Sequence, residues 1–459
     1  MCRAEICLFR VFLPFLGVFL LVISSVQGEE KEPPSSYFPL PKALRPQVDF
    51  WKKIFAVYSR YQVVIHDSET MQIYRVLDFR RLRDDEELDE ATVSQIKQDQ
   101  TKLELAQIRS ILTKLQGCVD GLENCDNLDP EEKTIWNLFK GNSDVDRFRA
   151  AASEDRLRTQ TGVRERFRDG VQSSRRYIKA MEDIFEREGV PVELTRLPLV
   201  ESSFNLSATS KVGAAGIWQF MPSTGRLYDM KVSTAIDERR DPLIATEAAA
   251  RFLKSNYEKL GAWPLAITAY NHGPGGVAEA ISTVGSRDIG DIVRSYRGKN
   301  FGFASRNFYT EFLAALDIER NHKKHFGAIE MDAPIAYDEV SLESSLPLNR
   351  VAEFAGADID DVRALNPALG SAIRNGSSSV PQGYQLRLPS GAYTTFQERY
   401  SAWQEEERAR IAALERARQE RLEAARLAQE ARRAALRAKR ATRATLVRVS
   451  IGKSRRRGG

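Results

Sequence analysis

Apolar positions recur along this chain at helix-like spacing, and their density divides it into stretches. Over 46–189 the pattern is long, charged and mostly helical. Phe50, Trp51, Ile54, Phe55, Val57 and Tyr58 fall on one such face, and Ile96, Leu103, Leu105, Ile108, Ile111, Leu112 and Leu115 on another. Asp129-Pro130-Glu131-Glu132 is a helix start, with an N-cap, a proline in the first turn and early acids. This N-terminal region is expected to be a helical scaffold without chemistry of its own. Over 190–325 apolar residues become denser, and the pattern predicts helices at 192–201, 221–228, 242–260, 264–270 and 307–319. No strand alternation stands out there, so an all-helical globular domain is expected. Over 340–390 two short helices are predicted, the second stopped by Asn366-Pro367. A brief alternating strand, Gln385-Leu386-Arg387-Leu388-Pro389, follows the turn Pro381-Gln382-Gly383. From Tyr393 the composition becomes Ala, Arg, Glu and Gln, with no aromatic after Trp403. That reads as a long charged helix or helix-prone arm over 393–459.

The fold class expected is therefore mainly α, and 459 residues leave room for about three domains. A hydrophobic content of 42% suffices for packed cores, and the net charge of +5 conceals an uneven distribution. From Ala431 onward there is no Asp or Glu, while Lys and Arg continue to the end. A basic tail suits any polyanion, and charge alone does not choose among anionic lipid, wall polymer and nucleic acid.

The first residues narrow the setting. Arg3 and Arg10 lead into the apolar run 11–23, followed by Ser24-Ser25-Val26-Gln27-Gly28 and then polar residues. A basic start, a short apolar run and small residues make a secretory signal, assigned to 1–28. The run is shorter than the ~20 residues that a spanning helix needs, and no cysteine at its end supports a lipid anchor. Residues 29–45, rich in Pro and Ser, read as a linker. Cys2 and Cys7 fall in the signal, which leaves Cys118 and Cys125. In an exported chain, a close pair around a Gly-containing loop reads as a disulfide, and without histidine partners as a poor zinc site.

Three phrases carry chemistry. In Leu197-Pro198-Leu199-Val200-Glu201-Ser202-Ser203-Phe204-Asn205 a lone acid ends an apolar helix. The preceding residues should pack inward and leave Glu201 at the edge of a partly dry cleft. Desolvation there raises a carboxyl pKa, as a general acid near neutral pH requires. A second phrase, Gly213-Ala214-Ala215-Gly216-Ile217-Trp218-Gln219-Phe220-Met221-Pro222, sets an amide among aromatics. Such sites suit sugars, whose faces stack on rings and whose hydroxyls pair with amides, although Trp218 and Phe220 taken alone read as core. In the third, Ala269-Tyr270-Asn271-His272-Gly273-Pro274-Gly275, polar tips stand at a helix end, and His272 reads as an exposed loop residue.

In this order and spacing, the Glu-Ser dipeptide, Gly-x-x-Gly-Ile-x-Gln-Phe-Met-Pro and Ala-Tyr-Asn-x-Gly-x-Gly resemble the soluble lytic transglycosylase (SLT) domain. The wider layout resembles the membrane-bound lytic murein transglycosylase D branch, with an N-terminal helical region and LysM modules. The resemblance implies a lysozyme-like catalytic domain, a small βααβ LysM-like module, a periplasmic or envelope location and peptidoglycan glycan strands as partner. It implies Glu201 as the catalytic acid, substrate contacts from Ser202, Ser203, Gln219, Phe220, Met221, Tyr270 and Asn271, and no metal or cofactor. The basic arm would meet anionic lipid or wall polymer, and no nucleic acid is expected. Two departures stand out. Where the family reads Glu-Thr-x-x-Tyr-Val, this chain has Ala304-Ser305-Arg306-Asn307-Phe308-Tyr309, so Tyr309 takes the tyrosine's role by a register change or that bond is absent. The LysM-like skeleton also lacks a clear first strand.

The mechanism implied is cleavage between N-acetylmuramic acid and N-acetylglucosamine, with Glu201 acting first as acid and then as base to close a 1,6-anhydro ring. Two rivals remain open. One is a hydrolase on the same scaffold, for which Asp241 or Glu238 would have to face the cleft and position water. The other is a wall-binding or assembly protein that holds glycan without cutting it.

Overall fold

The computed structural model describes residues 37–83 and 88–455. The signal expected at 1–28, the start of the linker and the last four residues lie outside that range. Among the described residues the chain is mainly helical, as the periodicity implies, with two small sheets.

The largest core runs from Phe38 to Ile318 and ignores the boundary expected at 189. Phe38, Leu44, Val48, Trp51, Ile54 and Phe55 share it with Leu197, Trp218, Leu253, Ala266 and Phe312. The segment 37–45 is thus packed rather than a linker: Phe38 is buried, and the Tyr309 hydroxyl donates to Pro39 O at 2.6 Å. The helix Arg45–Ala56 lies along the helix Phe303–Arg320, fastened where Trp51 Nε1 donates to Asn307 Oδ1 at 3.1 Å.

The N-terminal region is not wholly helical. Strands β1 (Gln62–Asp67), β2 (Ile73–Asp78) and β3 (Leu157–Thr161) form an antiparallel sheet in the order β2-β1-β3. Asp67 is buried at the hairpin turn. It accepts from the backbone N–H of Glu69 and Thr70, from Tyr74 and from Arg156. The helix Glu90–Val119 covers the sheet with Ile108, Leu112 and Leu115. Cys118 and Cys125 are joined, and the bridge closes the loop toward the helix Pro130–Leu138.

The third core lies in a βααβ unit. Strands β4 (Tyr337–Ser341) and β5 (Gln385–Pro389) pair antiparallel around the helices Leu348–Ala355 and Ile359–Leu365. The first strand, which the sequence left indistinct, begins at 337, ahead of the boundary expected at 340. Phe396 and Tyr400, at the start of the helix Tyr393–Arg455, seal this core, and from 408 to 446 that helix is exposed throughout.

The βααβ unit is seated on the larger core. Ile236 enters the unit's own core, Asp237 N donates to Ala368 O and Gly370 N to Ala235 O, both at 2.8 Å. At the centre is a buried ion pair between Arg387 and Asp241. Asp241 also caps the helix Pro242–Leu260, accepting from Leu243 N and Ile244 N. Removing one member of such a pair strands a desolvated charge. We expect Arg387→Met to lower the unfolding free energy by about 3–5 kcal/mol, and Asp241→Leu combined with Arg387→Met to cost less than that single change. Urea unfolding of the wild type and the two variants tests this. A loss below about 1 kcal/mol in Arg387→Met would place the pair with ordinary surface bridges.

Candidate active site

Glu201 is the last residue of the five-residue helix Leu197–Glu201, which Pro198 starts and whose Leu197, Pro198 and Leu199 are buried. The chain then turns sharply, with Ser203 at φ +50° and Phe204 at φ +58°. Ser202 Oγ holds the turn through Pro198 O at 3.2 Å and Ile217 O at 3.0 Å, and so ties the Glu-Ser dipeptide to the glycine-rich phrase. Gly170 permits this arrangement, because a Cβ there would lie 2.4 Å from Ser203 O.

The glycine-rich phrase is equally constrained. Gly216 has φ +77°, and a Cβ on it would fall 1.8 Å from Arg239 O, so no other residue fits without rearrangement. Gln219 is itself left-handed, at φ +49°, and its Nε2 donates to Gly216 O at 2.8 Å. Trp218 points away from the cleft: it is fully buried, stacks on Phe185 and donates from Nε1 to Thr246 Oγ1 at 2.9 Å. Tyr270 donates its hydroxyl to Trp218 O at 2.9 Å, beneath the cleft floor.

These elements enclose a cleft of about 530 Å³. Leu199 to Ser203 and Gln219 form its floor, with Asn205 and Ser207 to Thr209 beside them. The N-terminal region supplies a wall, from Trp51, Ile54 and Phe55 on the helix Arg45–Ala56 and from Gln160, Val163 and Arg166. That region was expected to be a helical scaffold without chemistry of its own. Its contribution is one of shape and dryness, which no local motif announces.

Burial pushes the Glu201 carboxyl up from 4.5 to about 8. It pushes the Tyr270 hydroxyl far above its ordinary range, and the nearby Glu201 charge adds to that. The cleft also contains Glu311, which the sequence reading missed. It is pushed up to about 8, first by burial and then by Glu201. A signal was present. Glu311 lies three residues after Phe308 and four before Ala315, an acid on the buried face of an apolar helix.

Other candidates lie elsewhere. Tyr309 is buried against Pro39, so it does not take over the cleft position of a tyrosine; Phe308 stacks on Tyr270 at 6.4 Å instead. Phe220 belongs to the core, while Met221 is exposed outside the cleft lining. Asn271 is also outside it and accepts from Ser305 Oγ, which in turn meets His272 Nδ1 at 3.1 Å. His272 packs edge-on against Phe301, and burial lowers its pKa. The carboxylates considered as water-positioning bases are engaged structurally. Asp241 holds Arg387, and Glu238 accepts from Lys231 N.

Residues 180–293 match the family model described as Transglycosylase SLT domain. The resemblance read from the motifs is borne out. The chain is 34% identical over 207 residues to membrane-bound lytic murein transglycosylase D of Escherichia coli (strain K12), covering 43% of each protein. The chain therefore spans less than half the length of that relative. Among solved structures, the 70-kDa soluble lytic transglycosylase of Escherichia coli aligns at 18% identity with a TM-score of 0.27, over 53% of this chain and 47% of that one. The lytic transglycosylase Slt of Pseudomonas aeruginosa aligns at 19% identity and a TM-score of 0.27, over 34% and 25%. Likeness at that level transfers no geometry.

The raised Glu201 pKa has a consequence for stability. Between the unfolded value of 4.5 and about 8 the folded chain holds a proton that the unfolded chain releases, so stability falls as pH rises through that window. Glu201→Gln removes the effect. It should be close to neutral at or below pH 4.5 and stabilising by on the order of 1–3 kcal/mol at pH 9. Denaturant unfolding of both proteins at the two pH values tests this, and an equal difference at both would contradict it.

Proposed function

We propose that this chain is a lytic transglycosylase that cleaves the β-1,4 bond between N-acetylmuramic acid and N-acetylglucosamine in peptidoglycan. The observation that carries the reading is a single one: the Glu of the Glu-Ser dipeptide lines a cleft in which burial pushes its carboxyl up to about 8. Glu201 gives that proton to the glycosidic oxygen as the bond breaks. The oxocarbenium-like centre is stabilised by the substrate's own acetamido group. Ionised Glu201 then takes the proton of the C6 hydroxyl, whose oxygen closes the 1,6-anhydro ring. The proton count is restored, and no water is consumed. Ser202, Ser203 and Gln219 are the groups placed to meet the sugar, while Tyr270 steadies the floor under them through Trp218 O.

The setting proposed is the periplasm or cell envelope, reached through the signal at 1–28. No helix among the described residues is long and apolar enough to cross a membrane. The βααβ unit is proposed as a LysM-like glycan-binding module, and the basic end of the long helix as a contact for anionic lipid or wall polymer. A second reading, hydrolysis, draws on the presence of Glu311 as another carboxyl in the cleft.

Mass spectrometry of purified peptidoglycan treated with the full chain separates these readings. The expected products are muropeptides with 1,6-anhydro ends, and Glu201→Gln should slow their release by roughly a hundredfold or more. Reducing ends in their place would establish hydrolysis. Bound but uncut glycan would establish the binding protein.

A further inference from the structure

The proposed chemistry leaves one half-buried carboxyl of the cleft unused. Elsewhere this fold answers its buried carboxylates with cations. Asp67 meets Arg156, Asp241 meets Arg387, Glu132 meets Lys114, and Glu319 meets Arg175 and Arg196. The two carboxyls of the cleft are treated differently: neither Glu201 nor Glu311 has a hydrogen-bond or ion-pair partner among the described residues. The helix Phe303–Arg320 packs on the helix Leu197–Glu201, and both residues line the same cleft.

We infer that Glu311 is a positioning residue of this cleft, a carboxyl set beside Glu201 without an intervening cation, so that the pair resists double ionisation and retains a proton for Glu201 to use. The inference rests on the function proposed above. The surrounding elements supply little to relieve the repulsion. The helix Arg45–Ala56 faces the cleft with Trp51, Ile54 and Phe55, which carry no charge, and its Lys52 is paired with Asp317. The helix Trp263–His272 contributes the neutral Tyr270. Arg196, from the turn before Glu201, is held by Glu182 and Glu319. His325, just beyond the Glu311 helix, lies near Asp317 and Lys52. Arg166, on the helix Arg164–Ser174, is the cation at the cleft, and it is exposed to water at the rim.

Two like charges in a poorly solvated site cannot both form cheaply, so such groups titrate as a pair. Over a catalytic cycle Glu311 neither gains nor loses a net proton. Its part is to keep the cleft from emptying of protons at a pH where a lone glutamate would already be ionised.

The test follows the carbonyl stretch of protonated carboxylic acids by infrared spectroscopy, titrating the full chain from about pH 5 to pH 10, above the range of ordinary carboxylates. Wild type, Glu201→Gln, Glu311→Gln and the double variant are compared. The wild type should lose two carboxyl signals in two separated steps. Each single variant should lose one, at least about one pH unit below the later wild-type step. If the curves of the two single variants add up to that of the wild type, the carboxyls are independent and the inference fails. Since the titration needs no turnover, it separates this inference from the reading of the activity. Where the chain does release anhydro-muropeptides, the alkaline limb of the rate profile in Glu311→Gln should move to lower pH. A limb that stays in place, whatever the rate, marks Glu311 as merely structural.

Discussion

Keeping an uncompensated carboxyl away from water opposes folding, and the rest of the protein has to offset that cost. A general acid that works near neutral pH requires the penalty, since an exposed glutamate would already have lost its proton. The short helix ending at Glu201 sets the problem up: its Leu197, Pro198 and Leu199 are buried, so its last side chain is carried to the edge of the core. Ser202 and the left-handed turn at Ser203 and Phe204 then fix the direction of the chain as it leaves. The glycines at 170 and 216 are where the surrounding backbone comes too close for any side chain.

The same protein treats another buried acid in the opposite manner. Asp241 receives an arginine and two backbone N–H groups, and is thereby held charged and fixed. Its partner arrives from β5, more than a hundred residues later, so neutralising the acid also seats the βααβ unit on the larger core. Arg387 further lies over the ring of Tyr337 in the neighbouring strand, which stiffens the cation within its own unit. One carboxylate is answered and joins two cores; the other carboxyl, the proton donor proposed above, is left unanswered. The contrast makes Glu238 and Asp241 poor sources of a water-positioning base, although both lie close to the catalytic phrases in sequence.

What the sequence revealed depended on whether the relevant physics was local. The Glu-Ser dipeptide, the glycine-rich phrase and the helix Pro242–Leu260 are short-range patterns, and they were legible. The sheet was not. Strand β1 contains the run Val63-Val64-Ile65, too short for periodicity to separate strand from helix, and its partners include a segment some ninety residues away. Tyr309 misled because a one-residue step on a helix turns a side chain by about 100°, from the cleft side toward Pro39. Phe38 was hidden in a Pro- and Ser-rich stretch whose composition suggested a linker. Glu311 needed a three-dimensional argument, since an acid on an apolar helix face declares its role only when the element packed against that face is known.

The cleft is also not coextensive with the segment that bears the family signature. Residues 180–293 hold Glu201, Gln219 and Tyr270, yet Trp51, Gln160 and Arg166 come from before that span and Glu311 from after it. The helix Arg45–Ala56 reaches the cleft only because it is fastened to the helix Phe303–Arg320 through Trp51 and Asn307. Without those walls Glu201 would lie open to water, and the desolvation that raises its pKa would be lost. The motif therefore specifies the carboxyl proposed to react, while its acidity is a property of the whole folded core from Phe38 to Ile318. Divergence in the flanking segments can thus tune the working pH of such a site without altering any residue of the signature itself.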